Sequence, residues 1–505
     1  MNSDKIIIVG GGSAGWMTAA TLIKAYPEKD ITVIESPNVP IVGVGESTLA
    51  GIKIWTDFLE IDEKDFLKHT DGIIKLSIKF TDFYKKGEAF HYPFGFPNIV
   101  GNNAQLNDWW FKKIMYPDTP NSNYAESIWP VMAMINQNKM TEDNFHGFDT
   151  IRDSAYHFDA TKFGLWLKDN YCLPRGVKYI QEDIVDIHQD EDGIKSLNGK
   201  HKADLYIDCT GFKALLLGET LKEPFESLED KLPNNKAWAT KLPYTDKEKE
   251  LVPYTNCTAI ENGWVWNIPL WNRIGTGYVY SDKFVDDDTA LEEFKKHLGR
   301  DDLEFKNIKM KTGIHTRLFV KNVAAVGLAA GFIEPLESNG LFSTHEFAMV
   351  LVRNLNRGNI SQWDKDNYTS SCKWLYNNFV DFVGIHYALS HRDDTEYWKT
   401  HNNKRWNESP NNPMFKDTGY SGYSWNRTRN FSQDINGGFH AIAAGMNWSP
   451  TDLTTLMYHQ RNTKQEVFSN LTPDIDRLNE KTAQWVDDAK NLPSTLNFLQ
   501  DYIYK

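Results

Sequence analysis

Cysteine is scarce in this chain of 505 residues: there are four, Cys172, Cys209, Cys257 and Cys372. They lie far apart and form no C-x-x-C pair, which excludes a disulfide framework and a zinc ribbon and fits a reducing compartment. No apolar run approaches the roughly 20 residues that cross a bilayer. Positive charge is also in deficit, with 55 Lys and Arg against 68 Asp and Glu and a net charge of -13. Sequence-independent nucleic-acid binding needs a cationic face, so that class is not expected. No basic-then-apolar leader precedes the first predicted strand, and no repeat or low-complexity tract stands out. Histidines occur without a second ligand at zinc spacing, and no metal is expected. His157 and His391 therefore read as structural hydrogen bonders. The expectation is a cytoplasmic chain that engages neither membrane nor nucleic acid.

What is abundant is aromatic: 17 tryptophans, and 13% Phe, Trp and Tyr overall. Such rings suit lined pockets, although most buried aromatics are core. The most informative local signal is Val9-Gly10-Gly11-Gly12-Ser13-Ala14-Gly15-Trp16. It follows the apolar run Ile6–Val9, which reads as a buried strand, and leads into a predicted helix from Met17 to Lys24. Gly10, Gly12 and Gly15 match G-x-G-x-x-G. The first allows a tight turn, the second lets backbone approach a pyrophosphate, and the third lets helix and strand pack closely. Ala14 lies inside this turn. Glu35 ends a second apolar strand, Ile31–Ile34, about twenty residues beyond Gly15, where an acid for a ribose hydroxyl belongs. A second glycine fingerprint for a nicotinamide dinucleotide is absent.

Helical spacing of Leu49, Ile52, Trp55, Phe58 and Leu59 predicts helix across 49–70. Residues 72–84 alternate, with Ile74, Leu76, Ile78 and Phe80 on one face and Lys75, Ser77 and Lys79 on the other. That alternation alone places both lysines on a solvated strand face. Residues 93–130 read as a long irregular excursion rich in Gly, Pro, Asn and Trp. Short strands are expected at Val177–Ile180, Ile184–Ile187 and Leu205–Ile207. Paired strands with a turn near Asn272 are expected over 263–281, and a buried strand over 323–328. From about 341 the pattern is mainly helical, with polar loops at 399–437. The fold class is therefore α/β: a Rossmann-like dinucleotide-binding module over 1–345, with inserted segments around 85–150, and a mainly helical subdomain over 346–505 that covers a site.

Four motifs carry a resemblance to the flavin-dependent halogenases of the tryptophan-halogenase family. They are Gly12-Ser13-Ala14-Gly15-Trp16; Gly43-Val44-Gly45-Glu46-Ser47; the W-x-W-x-I-P string Trp264-Val265-Trp266-Asn267-Ile268-Pro269; and Phe332 to Gly340, which holds Glu337, Ser338, Asn339 and Gly340. Their order and spacing also match, well over residues 5–345 and more weakly beyond. The resemblance implies a flavin-monooxygenase type of FAD-binding fold and FADH2-dependent halogenation of an electron-rich aromatic. O2, a halide (chloride, bromide or iodide) and a separate NAD(P)H-dependent flavin reductase would take part. The cofactor does the redox work and the protein supplies placement and electrostatics.

On that resemblance the FAD contacts are Gly10, Gly11, Gly12, Ala14, Gly15, Glu35, Gly43, Gly45, Glu46, Ile184, Leu328 and Leu341. Hypohalous acid formed at the flavin passes to the residue matching the family's lysine, Lys75. Glu337 matches its glutamate, with Glu334 as the rival acid. Ser338, Asn339 and Gly340 offer backbone N–H groups to the halide. Asn339 stands where the family has threonine, which points toward bromide or iodide. Trp264 and Trp266 separate flavin from substrate, which favours release of hypohalous acid over direct oxygen transfer. Phe94 matches an aromatic that stacks on the substrate, with ordinary packing as the alternative. Phe439 and His440 stand where tryptophan-specific members carry a tyrosine pair, so an indole- or phenol-like ring without a free amino-acid group is expected. An aromatic hydroxylase and a flavin-binding protein without turnover are the competing functions. The oligomeric state stays open, a homodimer included.

Overall fold

The computed structural model describes residues 1, 3–39, 46–97, 109, 112, 113, 115–356, 358–401, 433–447 and 464–505, without the side chains of 46, 433–437, 440 and 464–474. Gly43, Gly45 and the side chains of Glu46 and His440 lie outside the described residues, as do 402–432 of the expected polar stretch.

The strand Lys5–Val9 has Ile6, Ile7, Ile8 and Val9 all buried, so both of its faces are covered. A continuous apolar run of this kind belongs in the interior of a parallel sheet. It lies between Leu205–Asp208 and Asp30–Glu35, parallel to both. The sheet continues to Val323–Ala325 and Phe319–Val320 on one side and to Lys178–Gln181 on the other. Helix Ser13–Ala25 crosses from the first strand to the second and buries Trp16, Met17, Leu22 and Ile23. This is the α/β dinucleotide-binding arrangement, in which ligands sit beyond the carboxyl ends of the strands.

A seven-stranded sheet stands beside it, in the order Lys306–Lys309, Lys236–Leu242, Ile274–Tyr280, Gly263–Pro269, Tyr254–Ile260, Ser77–Thr81, Ala89–Pro93. The hairpin expected around Asn272 is its Gly263–Pro269 and Ile274–Tyr280 pair. Gly277 has no side chain because the ring of Trp266 fills the space: a Cβ there would lie 2.2 Å from it. A third sheet joins Glu46–Ser47, Ala155–Phe158 and Ile73–Lys75.

The alternating stretch 72–84 is two strands rather than one. Ile73–Lys75 pairs with Ala155–Phe158, whereas Ser77–Thr81 pairs with Tyr254–Ile260. The chain changes sheets at Leu76, whose N–H donates to the Pro253 carbonyl. Both faces of this crossing are covered, so Lys75 and Ser77 are buried; only Lys79 is partly exposed. The solvated reading of Lys75 is thereby overturned.

Four further expectations need correction. The strand placed at 184–187 begins only at Ile187 and forms a hairpin, Ile187–Asp190 with Gly193–Leu197. The Val185 and Asp186 amides donate instead to the Asn198 side chain. The strand over 323–328 stops at Ala325, because Gly327 takes a left-handed turn (φ 70°). The irregular excursion holds helix Asn123–Ile128. The predicted helix across 49–70 is broken into Ile52–Leu59 and Glu63–His69.

Helix Asn339–Leu355 runs through the boundary placed at 345. It packs on helix Gln362–Ala388, and one hydrophobic cluster joins Ile6 and Trp264 to Phe379, Phe382 and Trp485. No helix among the described residues is long and apolar enough to cross a membrane.

Candidate active site

The glycine turn shapes a cradle at the carboxyl end of the parallel sheet. Gly10 has φ 113°, and a Cβ there would lie 2.3 Å from the Cys209 carbonyl oxygen. A Cβ on Gly15 would lie 1.9 Å from the Gly10 carbonyl oxygen. Gly11 lets the Glu35 side chain lie against the turn, since a Cβ would meet it at 2.4 Å. Around Gly12 the space is open, and no side chain caps the helix that starts there. Its first N–H groups are thus free to face a phosphate. Gly327 brings the loop after Val323–Ala325 against Ala14, leaving Leu328 36% exposed. Leu341 is buried in the first turn of the neighbouring helix. Ile184 is half-buried beside the end of the second strand, where the Glu182 amide donates to the Glu35 carbonyl. These residues fit a flavin dinucleotide: no side chain obstructs the second glycine, and an apolar leucine face is left uncovered. We expect Gly10→Ala to destabilise the fold by about 2–4 kcal/mol and to abolish flavin binding. Thermal unfolding and flavin titration measure the two effects.

Lys75 is wholly buried. Its Nζ donates to the Thr48 carbonyl at 2.9 Å and to Ser338 Oγ at 3.0 Å, and lies 4.9 Å from the ring centre of Phe94. Burial lowers its pKa to about 7; the neighbouring Cys257 and Glu337 oppose that shift. Desolvation outweighs the nearby negative charge because an ammonium in a dry interior loses its hydration.

Glu337 and Glu334 are both buried. The structure separates them. Glu334 Oε2 accepts from Asn234 Nδ2 and from Trp264 Nε1. Glu337 is the acid whose charge acts on Lys75. Its Oε1 lies 2.7 Å from His386 Nε2, both side chains fully buried. His386 Nδ1 sits 3.1 Å from the Phe382 carbonyl, which can only accept, so that nitrogen carries a hydrogen. The two side chains form a close buried pair, although no aligned hydrogen bond joins Nε2 to Oε1 among the described residues. Burial raises the pKa of Glu337 against the lowering effects of His386 and Lys75. Its Oε2 has no hydrogen-bond partner among the described residues, leaving a buried acceptor open. His386 was not foreseen. It lies in the last turn of helix Gln362–Ala388, where a buried histidine carries no local signal.

Ser338 adopts the left-handed backbone conformation (φ 56°) at the N-terminus of helix Asn339–Leu355. That geometry costs a non-glycine residue about 1 kcal/mol or more. The hydroxyl is held between Lys75 and Ser47. Asn339 is buried with its Oδ1 unpartnered among the described residues, while Gly340 is exposed with nothing within 4 Å of a Cβ position. An open helix N-terminus with a glycine in its first turn suits a small anion.

Trp264 and Trp266 lie on one face of their strand, ring centres 6.2 Å apart, both buried together with Ile268. The Pro269 carbonyl closes the strand by accepting from His157. Phe94 is buried and meets Tyr92 edge-on; Tyr92 in turn meets Phe382, and Phe382 meets His386. An aromatic wall thus runs from Lys75 to the Glu337–His386 pair. Helix Gln433–Gly445, with Phe439 buried, crosses this wall: a Cβ on Gly438 would lie 2.6 Å from the Tyr92 ring. His391 packs on Tyr84, and no cluster of metal ligands occurs among the described residues.

The sequence profile of tryptophan halogenases matches residues 5–461. The chain belongs to the tryptophan halogenase family. It is a flavin-dependent halogenase. It is 32% identical over 428 residues to tryptophan 6-halogenase SttH of Streptomyces toxytricini, covering 79% of this chain and 80% of that one. Tryptophan 6-halogenase ThaL of Streptomyces albogriseolus is 30% identical, with 98% of each chain covered. Among solved structures, that of VirX1 in its apo form superposes with a TM-score of 0.90 at 37% identity, covering all of both chains.

Proposed function

We propose that this halogenase acts on an electron-rich aromatic, an indole- or phenol-like ring without a free amino-acid group. FAD, entering as FADH2 from a separate NAD(P)H-dependent reductase, supplies from O2 the oxidising power that turns halide into hypohalous acid. Gly10, Gly11, Gly12, Ala14, Gly15 and Glu35 would hold its dinucleotide, and Leu328 and Leu341 would border its ring. Ser338, Asn339 and Gly340 receive the halide. The Lys75 ammonium donates to the hypohalite oxygen, which fixes the oxidant and polarises its halogen toward the ring. Glu337 takes the proton that the ring loses. Trp264 and Trp266 keep the arene away from the flavin. The helical segment over 346–505 covers the substrate, with Phe94 and Phe439 on its walls. The observation that carries this reading is the dry cluster in which Lys75, Ser338 and Glu337 meet.

A screen of halides against arenes, with supplied reduced flavin, tests it. We expect product masses carrying halogen, with bromide or iodide preferred over chloride because Asn339 adds an amide beside the anion site. Free tryptophan should be a poor substrate. Oxygenated product formed without halide would replace halogenation by hydroxylation. A clear chloride preference would remove the role given to Asn339.

A further inference from the structure

The polar contacts of Lys75 do not end at Ser338. The Ser338 hydroxyl donates to Ser47 Oγ at 3.0 Å. Ser47 Oγ lies 2.7 Å from Thr255 Oγ1, and Thr255 Oγ1 lies 2.8 Å from His157 Nε2. His157 Nδ1 lies 3.0 Å from the Pro269 carbonyl oxygen. All five side chains are buried. Four strands and one helix start contribute side chains to the row, which no periodicity within any one of them could announce.

The chemistry of its far end decides the direction of every hydrogen in it. A backbone carbonyl only accepts, so His157 carries its hydrogen on Nδ1. Burial, and the charge of Lys75, push the pKa of His157 well below its ordinary value, so the ring is neutral. A neutral ring protonated at Nδ1 offers a bare lone pair at Nε2. Thr255 must therefore donate to it. Ser47 then donates to Thr255, Ser338 to Ser47, and Lys75 to Ser338. Each hydroxyl turns its oxygen, the negative end of its dipole, toward the ammonium. Chains of this kind polarise one another in a low dielectric.

We propose that Thr255 and His157 are positioning residues for Lys75: through Ser47 and Ser338 they lock the amine into the role of donor and hold it as the ammonium. The proposal rests on the reading that Lys75 is the working amine. Other groups also face that amine: Glu337 from the turn before helix Asn339–Leu355, Cys257 from the strand Tyr254–Ile260, and the carbonyl of Thr48. None of these sets the direction of the hydroxyl row. Without Thr255 Oγ1, the Ser47 hydroxyl loses its acceptor and can turn its hydrogen toward Ser338. Ser338 can then turn its own hydrogen toward Lys75, and the ammonium faces the wrong end of the dipoles.

Thr255→Val removes the hydroxyl and keeps the shape; Thr255→Ser keeps the hydroxyl. The measurement is the pH titration of the Lys75 ε-carbon by NMR in protein carrying 13C-lysine, assigned by the signal lost in Lys75→Met. It needs no turnover, so it stands even if no arene is halogenated. We expect the midpoint in Thr255→Val to fall by about one pH unit, with Thr255→Ser following the parent chain. Where product is formed, the alkaline limb of product per flavin oxidised should move by the same amount. Equal shifts in both variants would mean that packing rather than the hydroxyl matters, and would overturn the proposal. An unmoved midpoint in Thr255→Val would also overturn it. A parent chain that titrates as expected but forms no product with any halide would overturn the functional reading alone.

Discussion

Replacing Lys75 with alanine should leave oxidation of reduced flavin intact and lower halogenated product by at least about 100-fold. The glycine cradle and the helix N-terminus that bear on the flavin and halide do not include this side chain. On the proposed function, what disappears is the donor that holds the oxidant beside the ring. Hypohalous acid should then escape, and a scavenger in solution would register it as product falls. Retention of arene product in Lys75→Ala would sink the delivery role.

The same lysine has a thermodynamic signature. Its pKa is about 7 in the folded chain against an ordinary value of 10.5. Below pH 7 both folded and unfolded chains hold the proton, and the folded state bears the full cost of a buried charge. Between about 7 and 10.5 the unfolded chain binds a proton that the folded chain does not, so stability rises with pH across that window. Above it the cost is gone. Lys75→Met should therefore be more stable than the parent chain by on the order of 2 kcal/mol below pH 7, after allowance for the lost hydrogen bonds to Thr48 and Ser338. The difference should fade above pH 10. Denaturant unfolding at pH 6 and pH 10 measures it; a variant less stable at both would show that the site is not organised at the expense of stability.

Glu337→Gln is the second large effect. The amide keeps the size of the carboxyl group and removes its basicity. Loss of a positioned base costs about 10²–10⁴ in rate, and product per flavin oxidised should fall within that range. Glu334→Gln should fall far less, because that carboxylate is occupied by Asn234 and Trp264. The comparison is made on matched preparations, with flavin oxidation as the internal control. If the Glu334 variant proved the more damaged in product formation, the two acids would have to exchange roles.

The parts of this protein legible in its sequence are those written by near neighbours in the chain. An apolar run, a glycine turn and a helix form one continuous stretch from Lys5 to Ala25, and their spacing alone predicts the strand, the close approach and the cradle. The W-x-W-x-I-P string lies within a single strand. Family resemblance singles out Lys75, whereas the alternation places it on a solvated face. Alternation reports which residues share a face. It does not report whether a second layer covers that face, and here the chain changes sheets at Leu76.

The separate partners of Glu334 and Glu337, the contact of Glu337 with His386 and the row of hydroxyls from Lys75 to His157 exist only in the tertiary structure. Lys75 meets Ser338 across 263 positions of sequence, and Ser338 meets Ser47 across 291. Protonation, burial and hydrogen-bond direction are properties of those distant pairings. A pattern with a period of two or of 3.6 residues carries no information about them.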